Sequence, residues 1–330
     1  MKINHVFFDL DHTLWDFEKN SALAIETIFK KHAINVDLQQ FLFHYVPINI
    51  KYWELYRVDK ITQFDLRLGR LKDTFQLLNY EIEDEKIMMD TAEKLREVSE
   101  RLNINVIYKS SFLKDNRSSL SYYDGPGLEK GMRILAKVKE QFGFPLLTDI
   151  HESYQAAIAG EVCDVLQIPA YLCMQSSLLV AAAKTGKVVN IKHGQFLAPD
   201  NMKHPLQKCI DAGNDQIILT ERGYVFGYND LIVDPRSFFH MNNLGYPVVF
   251  DVTHCVRKYG IPSADAKGGA REFLPVLSRA GVASGIDGMF IETHPDPSKA
   301  LCDAASQLCV YDLEEFLKPL IEIHNVVRKY

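Results

Sequence analysis

The chain has 330 residues, of which 47% are hydrophobic, and its formal net charge is −6. This length and apolar content suit one large barrel, or a barrel-sized domain with a small one. The acidic balance argues against a nucleic-acid-binding surface. The first residues lack the pattern of a signal peptide, no apolar run reaches membrane-spanning length, and the six cysteines form no Cys-x-x-Cys pair. The sequence therefore predicts a soluble cytoplasmic protein with no membrane or nucleic-acid partner.

The N-terminal segment starts with a short apolar run that ends in two acidic residues. The run His5–Phe8 is followed by Asp9 and Asp11 within Asp-Leu-Asp-His-Thr. Side chains two residues apart at a strand end point the same way. One carboxylate can then attack a phosphoryl group while the other protonates the leaving oxygen, with Mg²⁺ to screen the pair. This pattern resembles the first motif of haloacid-dehalogenase-type phosphatases, with Asp9 as nucleophile and Asp11 as acid/base.

The phosphatase resemblance covers only part of an active site. Helical patterns over 18–32, 38–58 and 61–78 resemble the helical cap of that family. Those enzymes also need a later strand ending in Ser or Thr, a lysine and a second acidic pair, and none follows in a matching context. We therefore expect residues 1–84 to form a partial phosphatase-like unit, one strand plus cap helices, that is inert. A phosphatase remains the alternative function at this point.

From residue 85 to the C-terminus, helical patterns alternate with short apolar runs. Strands that alternate with helices predict a parallel sheet. A (β/α)₈ barrel places polar groups at the carboxyl ends of all its strands, whereas an open doubly wound sheet concentrates them at one switch point. Seven apolar runs here end in such groups, which are Lys109, Asp149 with His151, Gln167, Lys192, Glu221 with Arg222, Asp251 with His254, and Glu292 with His294. The prediction is an α/β fold, with a TIM barrel over 85–330 that lacks its usual first strand.

Cations dominate the first of these strand ends and the loop after it. Lys109 is followed by Lys114, Asn116, Arg117 and Ser118 within ten residues. Lysine offers a point charge on a flexible stem and arginine a planar bidentate fork, and both suit anionic ligands. No Gly-x-Gly-x-x-Gly or Walker pattern accompanies them, so the sequence gives a nucleotide site no support.

The strand-end segments together resemble the 3-deoxy-D-manno-octulosonate 8-phosphate synthase family over about three-quarters of the chain. The segments that carry the resemblance are Tyr108–Phe112, Lys114–Ser119, Gly125–Glu129, Thr148–Glu152, Gln167–Ala170, Asn190–Lys192, Thr220–Gly223, Phe226–Tyr228, Asp251–His254, Ile291–Pro295 and Cys302–Ala304. Heptulosonate synthases share the barrel and the type of reaction. The Asn-Arg-Ser-Ser run at 116–119 favours the octulosonate enzyme.

The resemblance implies a reaction and its residues. Phosphoenolpyruvate condenses with D-arabinose 5-phosphate and releases phosphate, a step of lipopolysaccharide synthesis in a Gram-negative cytoplasm, in an enzyme that is a homotetramer. The implied catalytic residues are Lys109, Lys114, Lys192, Arg222 and His254. The implied substrate-binding residues are Asn116, Arg117, Ser118, Gln167, Asp149, His151 and Asp251. In the metal-dependent members the ligands correspond to His254, Glu292 and Asp303, a set suited to Zn²⁺, Fe²⁺ or Mn²⁺.

Four features depart from that family. The first-strand loop with Ala-Gly-Pro-Cys is absent, and with it the residue that separates metal-dependent from metal-independent members. Met174 and Asp124 stand where the family has arginines, so weaker binding of the pentose phosphate is expected. His193 stands where it has a second lysine.

The missing first strand leaves two hypotheses open. Seven strands give the sheet two unpaired edges, which soluble proteins avoid. Either His5–Phe8 fills the first-strand position, with the cap-like helices as a long insertion, or the N-terminal segment packs separately and the barrel stays open. A catalytically impaired chimera of two enzymes is the outcome expected if the barrel does not close.

Overall fold

A computed structural model describes residues 22, 23, 25–27, 29, 36–78, 83–117, 123–225, 231–258, 260, 261, 265 and 267–328. The chain forms two compact units, Met1–Glu83 and Asp84–Tyr330. The predicted strand His5–Phe8, the carboxylates Asp9 and Asp11, and Ser118 lie outside the described residues. No helix in the described ranges is long and apolar enough to cross a membrane.

Two helices make up most of what is described of the first unit. They are α1 (Leu38–Arg57) and α2 (Gln63–Leu77), and they coincide with two of the predicted helical stretches. Asp37 caps α1, because its side chain accepts a hydrogen bond of 2.8 Å from the Gln40 backbone N–H. Phe41 is fully buried and packs against Phe29 and Phe75, with ring centroids 5.0 Å away in each case. An aromatic cluster is thus the core of this helical pair.

The second unit contains eight further helices and eleven strands among the described residues. The helices are α3 (Glu83–Leu102), α4 (Leu128–Phe142), α5 (Ser153–Val162), α6 (Ser176–Ala183), α7 (Lys203–Asp211), α8 (Pro235–Asn242), α9 (Leu274–Ala283) and α10 (Leu313–Val327). The strands are β1 (Tyr108–Lys109), β2 (Leu146–Asp149), β3 (Val165–Ile168), β4 (Val188–Lys192), β5 (Ile217–Glu221), β6 (Tyr224–Val225), β7 (Leu231–Ile232), β8 (Val248–Asp251), β9 (Gly288–Phe290), β10 (Thr293–His294) and β11 (Leu308–Cys309).

Seven of these strands form one parallel sheet, as predicted. Its order is β1-β2-β3-β4-β5-β8-β9, and every neighbouring pair is parallel. The short strands β6 and β7 form a hairpin after β5, and β10 pairs with β11 beyond β9. In the described part of the chain no eighth strand pairs with either edge, so the first-strand hypothesis stays a prediction.

The sheet curls, because side chains from its two edges meet. Strands β1 and β9 are at opposite ends of the strand order, yet Lys114, just after β1, has its Nζ 3.4 Å from Glu292 Oε1, just after β9. On the outer layer Arg101 of α3 pairs with Glu314 of α10 at 3.1 Å. A flat sheet of this order would hold these groups far apart, since neighbouring strands lie about 5 Å from each other. The fold is therefore barrel-like.

The core lies between the curled sheet and its helices. Every residue of β2 and β3 is buried, as expected for parallel strands covered on both faces. Helix α4 turns Leu135 and Val138 inward and ends at Gly143, whose φ of 71° and N–H bond to Lys139 O close the helix. Truncating a side chain such as Leu135 to alanine would cost about 2–5 kcal/mol. This packing fixes the strand ends that carry the site.

Candidate active site

The carboxyl ends of the parallel strands bring most of the predicted site residues to one end of the sheet. Lys109, Asp149, Lys192 and Asp251 are the last residues of β1, β2, β4 and β8. Gln167 is the last residue but one of β3. Three further residues come at most three positions after the ends of β5, β8 and β9, and they are Arg222, His254 and Glu292. The sequence alternates helix and strand, so each strand points the same way and its end contributes to a common rim.

Asp149 organises the cations at one side of this rim. Its Oδ1 is 3.1 Å from Lys109 Nζ, and its Oδ2 is 3.3 Å from His151 Nε2. Burial alone would raise the pKa of Asp149, but the charge of Lys109, the hydrogen bond with His151 and the charge of Lys114 hold it well below its usual value. The carboxylate is therefore ionised and acts as the fixed counter-charge for the lysines.

Asp251 plays the corresponding part on the other side. Its side chain is fully buried and pairs closely with Lys192. The same carboxylate accepts hydrogen bonds of 3.0 Å from the His254 backbone N–H and 3.2 Å from Thr253 Oγ1. Burial would raise the pKa of Asp251, but His254 and Lys192 keep it well below its usual value. Since His254 Nδ1 lies 2.9 Å from this carboxylate, its Nε2 faces the site.

The ring of Phe290 lies among the cations. Lys192 Nζ is 4.2 Å from the ring centroid and Lys109 Nζ is 6.0 Å from it, so both ammonium groups contact the aromatic face. The pKa of Lys192 is lowered, mainly by burial and further by the charges of Arg222 and Lys109, against the attraction of Asp251. The charges of Arg222 and Lys109 thus act on Lys192, as expected for cations close enough to bind one anionic ligand. Sequence reasoning missed Phe290, although an aromatic residue at the end of an apolar run was a signal.

Lys114 and Arg222 complete the set of four predicted cations. Burial tends to lower the pKa of Lys114, but Cys302, Glu292 and Asp149 together raise it above its usual value. Lys114 is therefore charged. Arg222 is buried, and its Nη2 donates a hydrogen bond of 3.3 Å to the backbone carbonyl of His254.

Gln167 belongs to a hydrogen-bonded row across the middle strands. Its Oε1 accepts a bond of 3.1 Å from Asn190 Nδ2, and Asn190 Oδ1 accepts one of 2.6 Å from Thr220 Oγ1. All three side chains are buried. Buried amides need such partners, so the row fixes the rotamers at the floor of the site.

The predicted grip on the second substrate is described only in part. Asn116 is exposed and Arg117 half-buried, in the turn after Lys114. The positive charge of Arg117 tends to lower the pKa of Lys114, so the two cations are close enough to interact. Met174 packs on the core, and Asp124 is exposed, so neither supplies a cation where the resembled family has one.

The three predicted metal ligands come together. One ligand atom from each of His254, Glu292 and Asp303 lies within 4.8 Å of the other two. His254 Nε2 is 3.6 Å from Glu292 Oε2, and that buried oxygen makes no hydrogen bond. The pKa of Glu292 is lowered to about 2, because His254, Lys114 and Lys109 outweigh its burial. An imidazole and two carboxylates, one with a spare buried oxygen, fit a divalent cation of the Zn²⁺ class.

Two other side chains, those of Cys255 and Arg257, lie close to these ligands in sequence or in space. The Sγ of Cys255 donates to the Val252 carbonyl at 3.1 Å and burial raises its pKa, so it points away from the ligands. Arg257, which sequence reasoning did not mention, pairs closely with the Asp303 carboxylate. A guanidinium therefore already neutralises one of the three ligands.

Known proteins match the second unit. The model of the DAHP synthetase I family matches residues 80–329. Proteins named 2-dehydro-3-deoxyphosphooctonate aldolase are similar: that of Trichlorobacter lovleyi is 53% identical over 75% of this chain and 90% of its own length. The one from Syntrophotalea carbinolica is 51% identical over 75% and 89%. The one from Pseudomonas fluorescens is 48% identical over 76% and 88%.

These matches test the two resemblances unequally. The family match starts at residue 80, so it covers the barrel unit and leaves the phosphatase motif of Asp9 and Asp11 as a hypothesis from sequence alone. For the barrel, the predicted resemblance to octulosonate-phosphate enzymes is confirmed, because about half of the aligned residues are identical in relatives with that name. The chain belongs to the DAHP synthetase I family.

Proposed function

We propose that this protein condenses phosphoenolpyruvate with D-arabinose 5-phosphate to 3-deoxy-D-manno-octulosonate 8-phosphate and phosphate. It is thus a carbon–carbon bond-forming transferase of lipopolysaccharide synthesis, acting in the cytoplasm as a homotetramer. The observation that carries the proposal is the ring of cations at one end of the curled sheet, from Lys109 and Lys114 on one edge to Lys192 and Arg222 in the middle. Relatives with an octonate-phosphate name support the same chemistry.

Phosphoenolpyruvate suits this site because it carries a carboxylate and a phosphate on three carbons. Lys109 is held by Asp149, and Lys192 by Asp251. We assign these two lysines, with Lys114 and Arg222, to the two anionic ends of the substrate. Because these cations are already held in place, they need no reorganisation when charge develops in the transition state. Gln167, His151 and the two aspartates would then orient the enol.

The chain offers fewer cationic side chains for the pentose phosphate than for phosphoenolpyruvate. Arg117 is half-buried beside Lys114, where its fork can take a phosphate oxygen pair. Asn116 and Ser118 are assigned to the same ligand by the family resemblance. With Met174 and Asp124 in place of two cations, we expect a raised KM for arabinose 5-phosphate.

His254, Glu292 and Asp303 are the residues that would hold a divalent metal such as Zn²⁺, Fe²⁺ or Mn²⁺. When bound, the metal polarises the aldehyde oxygen or lowers the pKa of a water molecule. The protein's own part is to set the imidazole. Its Nδ1 faces the ionised Asp251 carboxylate and therefore carries the proton, which leaves the lone pair on Nε2 toward Glu292.

Phosphate release tests the proposal. Purified protein is given phosphoenolpyruvate alone, arabinose 5-phosphate alone, and both, and the octulosonate product is identified by mass spectrometry. Release that requires both substrates supports the assignment. Release from phosphoenolpyruvate alone contradicts the condensation, and no product under any condition favours the impaired chimera.

A further inference from the structure

His193 and Glu221 form a buried pair outside the set described above. His193 follows Lys192 at the end of β4, and Glu221 precedes Arg222 at the end of β5. Both side chains are 0% exposed. The two strand ends are neighbours, because Lys192 is in register with Thr220 and the His193 backbone N–H donates to Thr220 O at 2.8 Å. The pair thus lies directly behind two of the cations.

Each ring nitrogen of His193 faces a group that accepts hydrogen bonds. Nδ1 is 3.1 Å from both oxygens of the Glu221 carboxylate, and Nε2 is 2.6 Å from the backbone carbonyl oxygen of Leu197. A neutral imidazole has a single N–H and would direct a lone pair at one of these oxygens. Opposite an ionised Glu221, the imidazolium with its two N–H groups satisfies both oxygens. Tyr224 of β6 is a further titratable neighbour, and its ring meets the imidazole edge-on with the ring centroids 4.8 Å apart.

Glu221 ties this charge to the backbone of the next strand. Its Oε1 accepts hydrogen bonds of 2.8 Å from the Arg222 N–H and 2.6 Å from the Gly223 N–H. Gly223 has φ +88°, a backbone conformation that favours glycine, between β5 and β6. Burial would raise the pKa of Glu221, but the charge of His193, its hydrogen bond and the hydrogen bond from the Gly223 N–H lower it. The carboxylate therefore fixes the turn from which the Arg222 side chain leaves.

We propose that His193 is a positioning residue: a buried imidazolium whose ion pair with Glu221 holds the ends of β4 and β5 so that Lys192 and Arg222 are aimed at the anionic substrate. The proposal rests on the proposed function for its kinetic consequence. The imidazolium itself rests on the contacts alone. His193 does not contact the substrate in this assignment, and it supplies a fixed positive charge behind the two cations that do.

The protonation state is measured first, on the wild-type protein. Its histidines are labelled with ¹⁵N, and the His193 signals are assigned by their loss in His193→Gln. We expect both ring nitrogens of His193 to carry protons at pH 7.5. A ring with one protonated nitrogen would overturn the proposal, whether or not the enzyme turns over.

The kinetic test compares a variant that keeps the charge with one that removes it. His193→Lys retains a cation, whereas His193→Gln and Glu221→Gln break the ion pair. We expect the two glutamine variants to raise KM for phosphoenolpyruvate about tenfold, and His193→Lys to stay within about threefold of the wild type, because charge-assisted hydrogen bonds are roughly twice as strong as neutral ones. The exposed His204 gives the control His204→Gln, expected to match the wild type.

Circular dichroism and calorimetric titration with phosphoenolpyruvate separate the outcomes. Binding can be measured without turnover, so a wild type that binds but makes no octulosonate product counts against the proposed function and leaves the positioning test intact. If His193→Lys is folded yet binds as weakly as His193→Gln, the positive charge is not what matters, and the proposal is wrong.

Discussion

The two units of the molecule use their polar side chains in different ways. In the first unit two carboxylates bond neutral groups: Asp73 of α2 accepts from Tyr52 of α1 at 2.9 Å, and Asp65 accepts from the Thr62 hydroxyl and N–H at the start of α2. In the second unit two carboxylates at strand ends hold cations of other strands, since Asp149 pairs with Lys109 of β1 and Asp251 with Lys192 of β4. The candidate site lies where charged groups from several strands pair with each other.

The same comparison explains why one resemblance led to a function and the other did not. The octulosonate segments are spread over the whole second unit, and the fold brings the described strand-end residues among them to one rim. The phosphatase motif is one segment with no later lysine or second acidic pair in a matching context. A single motif provides a nucleophile without the groups that would activate it.

The largest effect is expected from removing a cation of the rim. Arg222→Ala or Lys109→Ala should abolish measurable condensation, since both side chains are assigned to the anionic substrate. One such contact is worth about 2–4 kcal/mol of transition-state stabilisation. Steady-state kinetics on each variant would test this. Because Lys109 also pairs with Asp149, circular dichroism is needed to check that each variant is folded.

Exposed residues of the same types serve as controls for that experiment. Lys203→Ala and Arg236→Ala change side chains at the surface of the same unit, and Arg236 is 84% exposed. Both should keep wild-type activity. Near-wild-type turnover in Arg222→Ala and Lys109→Ala would contradict the assignment of the site.

The second prediction concerns stability and its pH dependence. Asp149→Asn breaks a buried ion pair and should lower the free energy of unfolding at pH 7 by about 3 kcal/mol. The folded-state pKa of Asp149 lies well below its usual value, so its stabilisation is complete above about pH 5 and is lost progressively as the pH falls further. Urea unfolding between about pH 5 and pH 3 should therefore show a steeper loss for the wild type than for Asp149→Asn.

An exposed aspartate provides the matched control. Asp215 is exposed and follows α7. Its substitution Asp215→Asn should leave both the free energy of unfolding and its pH dependence unchanged. Parallel curves for the wild type and Asp149→Asn would mean that the carboxylate does not stabilise the folded state as an ion.

The strand ends could be predicted from sequence, but their partners across the barrel could not. Lys109, Lys192 and Arg222 were found because parallel strands deliver their last residues to one edge. The contacts of Phe290 with two lysines, and of Arg257 with Asp303, depend on how far the sheet curls and on the register of segments distant in sequence. Periodicity within one segment carries no such information. The predicted strand His5–Phe8 lies outside the described residues and stays a prediction.

A smaller effect is expected at the acidic group of His254, Glu292 and Asp303. This group should bind a divalent ion weakly, because it has only three protein ligands and the guanidinium of Arg257 competes with the metal for one of them, Asp303. Arg257→Gln removes that guanidinium from Asp303 and should increase Mn²⁺ or Zn²⁺ affinity about tenfold, since a like charge at close range disfavours a cation. Calorimetric titration and metal analysis of the purified protein would measure it.

Arg257→Lys keeps the charge and is the control, with affinity near that of the wild type. Equal metal affinity in Arg257→Gln and Arg257→Lys would show that Arg257 does not compete for Asp303. A metal that survives extensive chelation in the wild type would reveal a fourth ligand beyond the three assigned.

The smallest effect is expected from Asp9→Asn in the first unit. A phosphatase nucleophile of this type needs a lysine to stabilise the aspartyl-phosphate and further carboxylates to hold Mg²⁺, and the chain supplies neither in a matching context. Any hydrolysis of p-nitrophenyl phosphate by the purified protein should therefore be the same in the wild type and in Asp9→Asn, with Mg²⁺ present. Asp11→Asn provides a second variant of the same motif. A clear drop in both variants, with condensation unchanged, would establish a second active site in residues 1–84 and reverse the contrast between the two units.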